Sequence, residues 1–314
     1  MTAASPAGRP LQVSDLQGSG ARRRKEGIIR GLFFGAAGLA VVISAAILLS
    51  LLSEAVIFLT SVDLGQLFVG VWQPRSNSFD VSALILGTAI IAVIAMLIAT
   101  PLGLGAAIFL AEYASPRMRA WLKPILEILA AIPSVVLGFF AITVLSPTLV
   151  DTVCPGSTPV FTKAVAGIAV GILITPLIAS IAEDALYAVP MSLREASYGL
   201  GARKRTTSLR VVAPAATSGI VAAMIVGFSR ALGETMIVAI AAGGVGGAVL
   251  DANPCLPGQT MTAAMTALAI GSDQAKGGLA FASLFFLGLL LFLMTLVMNL
   301  ISERFVRRSR KGRI

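Results

Sequence analysis

The sequence predicts an all-α polytopic membrane protein with six transmembrane helices. Of its 314 residues, 57% are hydrophobic and only 12% are charged, whereas about a quarter of the residues of a soluble domain are charged. Uncharged runs of 19 to 31 residues lie between the charged segments, and about 18 apolar residues are enough to mark a membrane helix. Lipid cannot satisfy open backbone groups, so each run is predicted to be helical.

The limits of these runs give the spans in chain order. They are residues 29–53, 84–110, 126–148, 164–184, 216–244 and 279–303. The first run follows a basic segment, as a signal peptide would, but it exceeds the length of a signal-peptide core and is predicted to be a retained span. The transmembrane domain is therefore placed at 28–306, between a disordered N-tail (1–27) and a basic C-tail (307–314).

Residues 253–272 are a seventh uncharged segment, but they contain two Pro, three Thr and one Gln and are only weakly apolar. We predict an external loop with a short amphipathic or re-entrant helix there. A seventh span would also place the basic C-tail on the wrong side of the membrane, because cytoplasmic loops carry the excess of Lys and Arg.

The basic residues give the orientation. With six spans, 20 Lys and Arg residues fall on one side and three on the other, and Arg230 lies inside a span. This bias predicts that both termini are cytoplasmic in a plasma (inner) membrane protein. Cys154 and Cys255 then lie on the same external, oxidising side. A disulfide between them and two unpaired loop cysteines are both open interpretations.

The longest cytoplasmic loop, residues 185–215, is predicted to form two short helices. Pro190 suits the first turn of a helix, and Gly199 or Gly201 suits its end. A second, basic helix is predicted at about 204–212, before Pro214 and the fifth span.

Spacing within this loop resembles the EAA loop of ABC importer permeases. In that motif Glu-Ala-Ala is followed at fixed offsets by Gly and by an apolar-x-apolar-Pro segment, and this chain has Glu195, Ala196, Ser197, Gly201 and Val211-Val212-Ala213-Pro214. Ser197 stands for the second Ala, and Ala213 stands for the usual Leu. The resemblance implies a type I ABC importer (MetI-like) permease fold, with a coupling helix that docks on an ATPase. The other interpretation is an ordinary basic loop.

Arg230 and Glu234 are charged residues inside the predicted fifth span. An arginine at mid-bilayer costs at least about 2.5–3.5 kcal/mol, and such residues usually line a pathway. On a continuous helix Glu234 would share a face with Arg230, so the two would pair. We predict a substrate pathway at Arg230 and Glu234, with Ser229 and Thr235 as further hydrogen-bond donors. A static ion pair is the alternative.

The stretch 230-RALGET-235 resembles phosphate ABC permeases, and 72-WQPRSNSF-79 together with residues 87–113 and 127–140 is similar to the PstC family of these subunits. Asp80 stands where that family has Gly. The resemblance covers about residues 30–306. It implies a permease for inorganic phosphate that forms the pathway with a second permease subunit (PstA). It also implies two copies of an ATPase subunit (PstB) and an extracytoplasmic phosphate-binding protein (PstS).

Composition argues against other classes of function. The chain has no histidine and only two cysteines, and it has no P-loop motif. We therefore expect a transport subunit rather than an enzyme, with no metal site or cofactor in this chain and no nucleic-acid partner. ATP and Mg are expected on the partner ATPase. Two alternatives remain: a permease for sulfate, molybdate or phosphonate, and a secondary anion transporter, which would not explain the EAA spacing.

Overall fold

The computed structural model describes residues 20–155, 160–243, 247–270 and 277–311, and these form two compact units, Met1–Ser50 and Leu51–Ile314. Within the first unit the helix α1 (Gly20–Ser61) begins, and its large apolar side chains, such as Phe33 and Phe34, are exposed. Residues 20–27 are therefore helical rather than disordered, because the apolar span continues into the basic segment as one helix. Residues 1–19 of the predicted N-tail lie outside the described residues.

The second unit is mostly helical. Its elements after α1 are β1 (Val71–Gln73), β2 (Ser78–Phe79), α2 (Val81–Ile108), α3 (Pro116–Ala130), α4 (Ser134–Phe140), α5 (Ser146–Val153), α6 (Lys163–Tyr187), α7 (Met191–Gly199), α8 (Lys204–Thr207), α9 (Ala213–Ala215), α10 (Thr217–Leu232), α11 (Met236–Ala241), β3 (Ala248–Val249), α12 (Met261–Ala269) and α13 (Gly278–Lys311). Two short 3₁₀ helices, Leu64–Phe68 and Pro74–Ser76, flank β1, and π-helical turns at Phe109–Tyr113, Ala141–Leu145 and Ser208–Val212 extend or join the helices around them.

Within the described residues, four helices are long and apolar enough to cross a membrane: α1, α2, α6 and α13. Two bent helix pairs, Pro116–Ala130 with Ser134–Val150 and Lys204–Ala215 with Thr217–Leu232, bring the number to six when each pair is counted as one span. The last helix continues to Lys311, so residues 307–311 of the predicted C-tail are helical, and residues 312–314 lie outside the described residues.

The predicted third span, 126–148, is not one continuous helix. Helix α3 ends at Ala130, and the helical segment that begins at Ser134 is bent away from it by 84°. Pro133 lies at the break; it has no backbone N–H, and it disfavours helical geometry at the preceding residue. Residues 131–133 therefore divide the predicted span into α3 and a second helical segment that begins at Ser134.

The predicted fifth span, 216–244, is also interrupted. Helix α10 ends at Leu232 with Gly233 as its C-cap, and α11 covers only Met236–Ala241. The predicted helix is thus broken at residues 233–235, in the middle of an otherwise apolar segment.

Helices α2 and α6 form the centre of the main core. Glycines allow their backbones to approach closely: a Cβ atom on Gly171 would lie 2.9 Å from the Ala95 carbonyl oxygen, and one on Gly167 would lie 2.7 Å from the Ile94 side chain. Small residues of this kind drive helix association in membranes, where packing replaces the hydrophobic effect.

A small antiparallel sheet, in the order β2-β1-β3, packs beside a second apolar cluster. Trp72 pairs with Phe79 on one side and with Ala248 on the other. The Trp72 and Phe58 rings each pack edge to face on Phe79, with centroids 6.0 and 5.0 Å away. Only the helices were predicted, because these strands of two or three residues are too short to show a period in the sequence.

The segment after β3 closes the end of the bundle at which α6 begins. A disulfide joins Cys154 to Cys255, with 5.5 Å between their Cα atoms. Carbonyl oxygens of this loop then accept hydrogen bonds from the first turn of α6, at Lys163 N (3.2 Å) and Ala164 N (2.8 Å). These are donors that a helix cannot satisfy by itself.

The predicted short helix in 253–272 is α12, and its N-terminal half is buried. Thr260 caps it by accepting from Ala263 N at 3.2 Å, and the Thr88 hydroxyl on α2 accepts from Met261 N at 3.1 Å. Thr260, one of the threonines that made this segment look like a loop, therefore caps the helix, and Thr88 attaches it to α2.

The contact between α2 and α6 predicts a difference between two glycines. Gly171→Ala should cost about 1–3 kcal/mol, because the added methyl group would overpack the helix contact. Gly105→Ala on α2, where a Cβ meets nothing within 4 Å, should be neutral or stabilising. Thermal unfolding of the purified complex in detergent checks this, and equal melting temperatures for the two variants would contradict the described contact.

Candidate functional site

The break in the fifth span holds the charged pair that the sequence singled out. Arg230 lies in the last turn of α10, and Glu234 lies in the non-helical segment before α11. The sequence argument placed both on one continuous helix; instead, the chain turns at Gly233 and brings the two side chains together across the break. Arg230 Nη2 lies 3.3 Å from Glu234 Oε2.

The two partners differ in exposure. The Arg230 side chain is 49% exposed, and that of Glu234 is 2% exposed. Two hydrogen bonds fix Glu234. Its carboxylate Oε1 accepts from Ile237 N at 3.4 Å, and its backbone carbonyl oxygen accepts from Thr262 Oγ1 at 2.7 Å. Among the described residues, Oε2 accepts no hydrogen bond, so its attraction to Arg230 is electrostatic. The Glu234 carboxylate is thus fixed in place, while one side of the Arg230 guanidinium is exposed.

Helix polarity favours this arrangement. The guanidinium lies near the carbonyl end of α10, and the carboxylate lies beside the amide end of α11. Each charge is next to the helix end of opposite partial charge. The interrupted helix therefore stabilises both charges within the apolar segment.

Ser229 and Thr235, the other predicted pathway residues, have different partners. Ser229 Oγ donates to Asn299 Oδ1 on α13 at 3.4 Å, and Thr235 Oγ1 donates to the Gly233 carbonyl oxygen at 3.2 Å. The structure brings only Arg230 and Glu234 into contact. Thr262 is the residue that sequence reasoning missed, because nothing local links α12 to a break 28 residues earlier.

An apolar groove of about 660 Å³ lies along α10 just before Arg230. Its walls are contributed by α2, α10 and α13, including Leu97, Met224, Phe228 and Met298. A guanidinium with a free side offers planar donors that match carboxylate or phosphate oxygens. The site can thus bind an oxyanion at Arg230 while Glu234 stays close enough to take the arginine back.

The residues of the EAA-like loop follow the C-terminal end of α6, and the disulfide lies near its N-terminal end. Helix α7 carries Glu195 and Ala196 on its exposed side, whereas Ser197 is buried and contacts the Thr207 hydroxyl at 2.9 Å. Gly201 has φ +77, a left-handed conformation that favours glycine and turns the chain after α7. Pro214 is exposed in α9.

The exposed surface of this loop is unusually apolar. Met191 and Leu200 are 60% and 90% exposed, and Leu193 and Tyr198 lie on the same short segment. Apolar side chains grouped this way on a polar loop are typical of a contact surface for another protein.

A buried ion pair, which the sequence did not indicate, anchors α7. Arg194 contacts Glu112 Oε1 through Nε at 3.1 Å and Nη2 at 2.8 Å. The arginine also donates to the carbonyl oxygens of Val189 and Leu186, and Ser208 Oγ approaches Glu112 Oε2 at 3.5 Å. Glu112 belongs to the π-helical turn that follows α2. The exposed loop is therefore tied to α2 and to the end of α6.

Residues 99–311 match the family model described as "Binding-protein-dependent transport system inner membrane component". The chain is 33% identical over 260 residues to the phosphate transport system permease protein PstC of Xylella fastidiosa, covering 76% of this chain and 78% of that protein. It is 34% identical over 254 residues to the protein of the same name from Mesorhizobium japonicum, covering 76% of each.

Solved ABC transporters share the fold. A bacterial transporter involved in import of the acidic polysaccharide alginate aligns with a TM-score of 0.61 at 14% identity, over 91% of this chain and 99% of that chain. The MetNI methionine ABC transporter aligns with a TM-score of 0.54 at 19% identity, over 72% and 96%. The predicted ABC importer permease fold is confirmed.

The anchor of α7 predicts a non-additive pair of variants. Arg194→Met should cost about 3–5 kcal/mol, because it leaves the Glu112 charge buried alone. Glu112→Leu combined with Arg194→Met should recover part of that loss, since neither charge remains. Arg205→Met, at an exposed position in α8, is the control and should have little effect. Thermal unfolding is measured for Arg194→Met, Glu112→Leu, the double variant and Arg205→Met. A double variant that loses the sum of both single losses would contradict the pairing.

Proposed function

This chain belongs to the family of binding-protein-dependent transport system inner membrane components, and from that premise we propose that it carries inorganic phosphate. The family makes it a multi-pass inner-membrane subunit of an ABC importer. It is a transport component rather than an enzyme, and it works with an ATPase and a substrate-binding protein. The proposed anion site rests on Arg230, whose half-exposed guanidinium lies beside the buried Glu234 in an interrupted membrane helix.

Phosphate is favoured over other oxyanions by two observations. The relatives from Xylella fastidiosa and Mesorhizobium japonicum are named as phosphate permeases, and residues 230–235 resemble the corresponding segment of phosphate permeases. Sulfate, molybdate and phosphonate share the tetrahedral oxyanion chemistry that a guanidinium recognises, so they are the second candidates. A secondary anion transporter is disfavoured by the family membership.

The open side of Arg230 also supports a second permease subunit of the PstA type. A guanidinium that is half exposed within an apolar span is too costly to leave against hydrocarbon. A partner chain at this face would complete a pathway that both subunits line. Two copies of a PstB-type ATPase, which would bind ATP and Mg, and a PstS-type binding protein would complete the importer.

In the proposed mechanism the anion competes with Glu234 for Arg230. Phosphate oxygens displace the carboxylate from the guanidinium, and Glu234 stays in place because Ile237 N and Thr262 hold it. When phosphate leaves, Glu234 takes Arg230 back, so the anion is not trapped. ATP binding to the ATPase dimer would move α7, through Glu195, Ala196, Ser197 and Gly201, and the bundle would open the site alternately to each side.

The proposed orientation places both termini and the loop 185–215 in the cytoplasm. The excess of basic residues on that side supports it. The disulfide between Cys154 and Cys255 and the small sheet then face outward, where the binding protein delivers its substrate.

Arg230→Gln tests the pathway. Charge-assisted hydrogen bonds contribute about 1.5–3 kcal/mol each, so ATP-driven phosphate uptake should fall roughly 10- to 100-fold. Uptake is measured with the complex reconstituted in vesicles, and assembly and ATP hydrolysis are measured in parallel. Arg230→Lys keeps the charge but loses the planar pair of donors, so its phosphate uptake should lie between that of the wild type and that of Arg230→Gln. Arg205→Gln is the control on an exposed loop.

Normal uptake by an assembled Arg230→Gln complex would make the pair a structural ion pair. Sulfate, molybdate or phosphonate uptake by the wild-type complex in place of phosphate would transfer the proposal to that oxyanion.

Labelling of the cysteines tests the orientation. Spheroplasts treated with a membrane-impermeant reductant and then with an impermeant maleimide should label the chain, and without the reductant they should not. Cys154→Ser/Cys255→Ser is the unlabelled control. Labelling that requires opened membranes would place this end of the bundle in the cytoplasm and contradict the orientation.

A further inference from the structure

Helix α3 lies between two spans but is not needed to cross the membrane. The helical segment from Ser134 to Val153 contains 20 residues, which extend about 30 Å and match the thickness of the hydrocarbon layer. Helix α3 meets this segment at 84° after a break of only three residues. If the segment stands along the bilayer normal, α3 lies nearly parallel to the membrane surface, at the level where the third span begins.

One face of α3 is fixed to the end of α6. Lys123 Nζ contacts Glu183 Oε2 at 2.8 Å and Asp184 Oδ1 at 2.6 Å. Arg119 pairs with Glu183, and its guanidinium carbon lies 3.8 Å from the centre of the Tyr187 ring. This basic face is therefore occupied by protein.

A second face of α3 is apolar and exposed. Met118, Trp121, Ile125 and Ile128 recur at helical spacing, and they are 40%, 77%, 48% and 68% exposed. Residues at such intervals lie on one side of a helix. Ala120, also exposed, points away from this stripe, since successive residues are separated by about 100° around the axis.

We propose that the apolar stripe of α3 is seated in the interfacial layer of the lipid bilayer. A basic amphipathic helix with a tryptophan on its apolar face is the form that lies in the plane of a membrane, and tryptophan favours the headgroup level. The direct connection to the third span places α3 at that level. The exposed Arg117 beside the stripe complements anionic headgroups.

The position of α3 in the lipid also affects α7, the helix proposed to contact the ATPase. Through Arg119 and Lys123, α3 holds the last turn of α6, and α7 begins only a few residues later, at Met191. With α3 bound to the lipid, the C-terminal end of α6 is held at the level of the membrane surface.

Spin labels on neighbouring residues test the proposal. Trp121→Cys and Ala120→Cys are each labelled with a nitroxide, since the native cysteines are joined in a disulfide. The assembled complex is placed in vesicles of phosphatidylethanolamine and phosphatidylglycerol. The label at 121 should collide with dissolved oxygen several-fold more, relative to a water-soluble nickel chelate, than the label at 120. Ile128→Cys lies on the same stripe, keeps Trp121, and should behave like 121.

Two results would overturn the proposal. Ready access of the nickel chelate to both 121 and 128 would place the stripe in water. Low access of both reagents would show that protein, such as the second permease subunit, covers it.

Discussion

Lipid offers no hydrogen bonds to an interrupted helix, so the break between Leu232 and Met236 has to find its partners within the protein. Thr262 on α12 supplies one of them by donating to the Glu234 carbonyl oxygen. Helix α12 is in turn held by Thr88 on α2 and enclosed by apolar neighbours. Much of the architecture around this break serves to keep a few non-helical residues, and the charges they carry, at membrane depth.

The Arg230–Glu234 and Arg194–Glu112 pairs differ in accessibility. At the break, one partner is buried and the other is half exposed, so the pair can open without uncovering the carboxylate. In the Glu112–Arg194 pair, both side chains are nearly inaccessible, and two backbone carbonyl oxygens accept further hydrogen bonds from the arginine. A buried pair of this second kind is expensive to separate. The Arg230–Glu234 pair is therefore suited to exchange with a ligand, whereas the Arg194–Glu112 pair is suited to holding α7 permanently in place.

Composition and charge were enough to predict a polytopic helical membrane protein, because lipid imposes length and polarity on each span separately. Interruptions were harder to predict. A proline such as Pro133 disfavours a continuous helix, but a single proline does not reveal whether a helix kinks or stops. Gly233 gave even less, since glycine is common in membrane helices. Contacts such as Arg194 with Glu112, 82 residues apart, depend on tertiary packing and leave no local pattern.

The glycine contact between α2 and α6 limits how the protein can move. Backbones that touch at Gly167 and Gly171 leave no space for side chains to rearrange, so these helices cannot slide past each other without losing their packing. Arg194 fastens α7 to the turn that ends α2. A displacement of α7 would therefore act on α2 and α6 together, as one stiff pair of helices, and not on either helix alone.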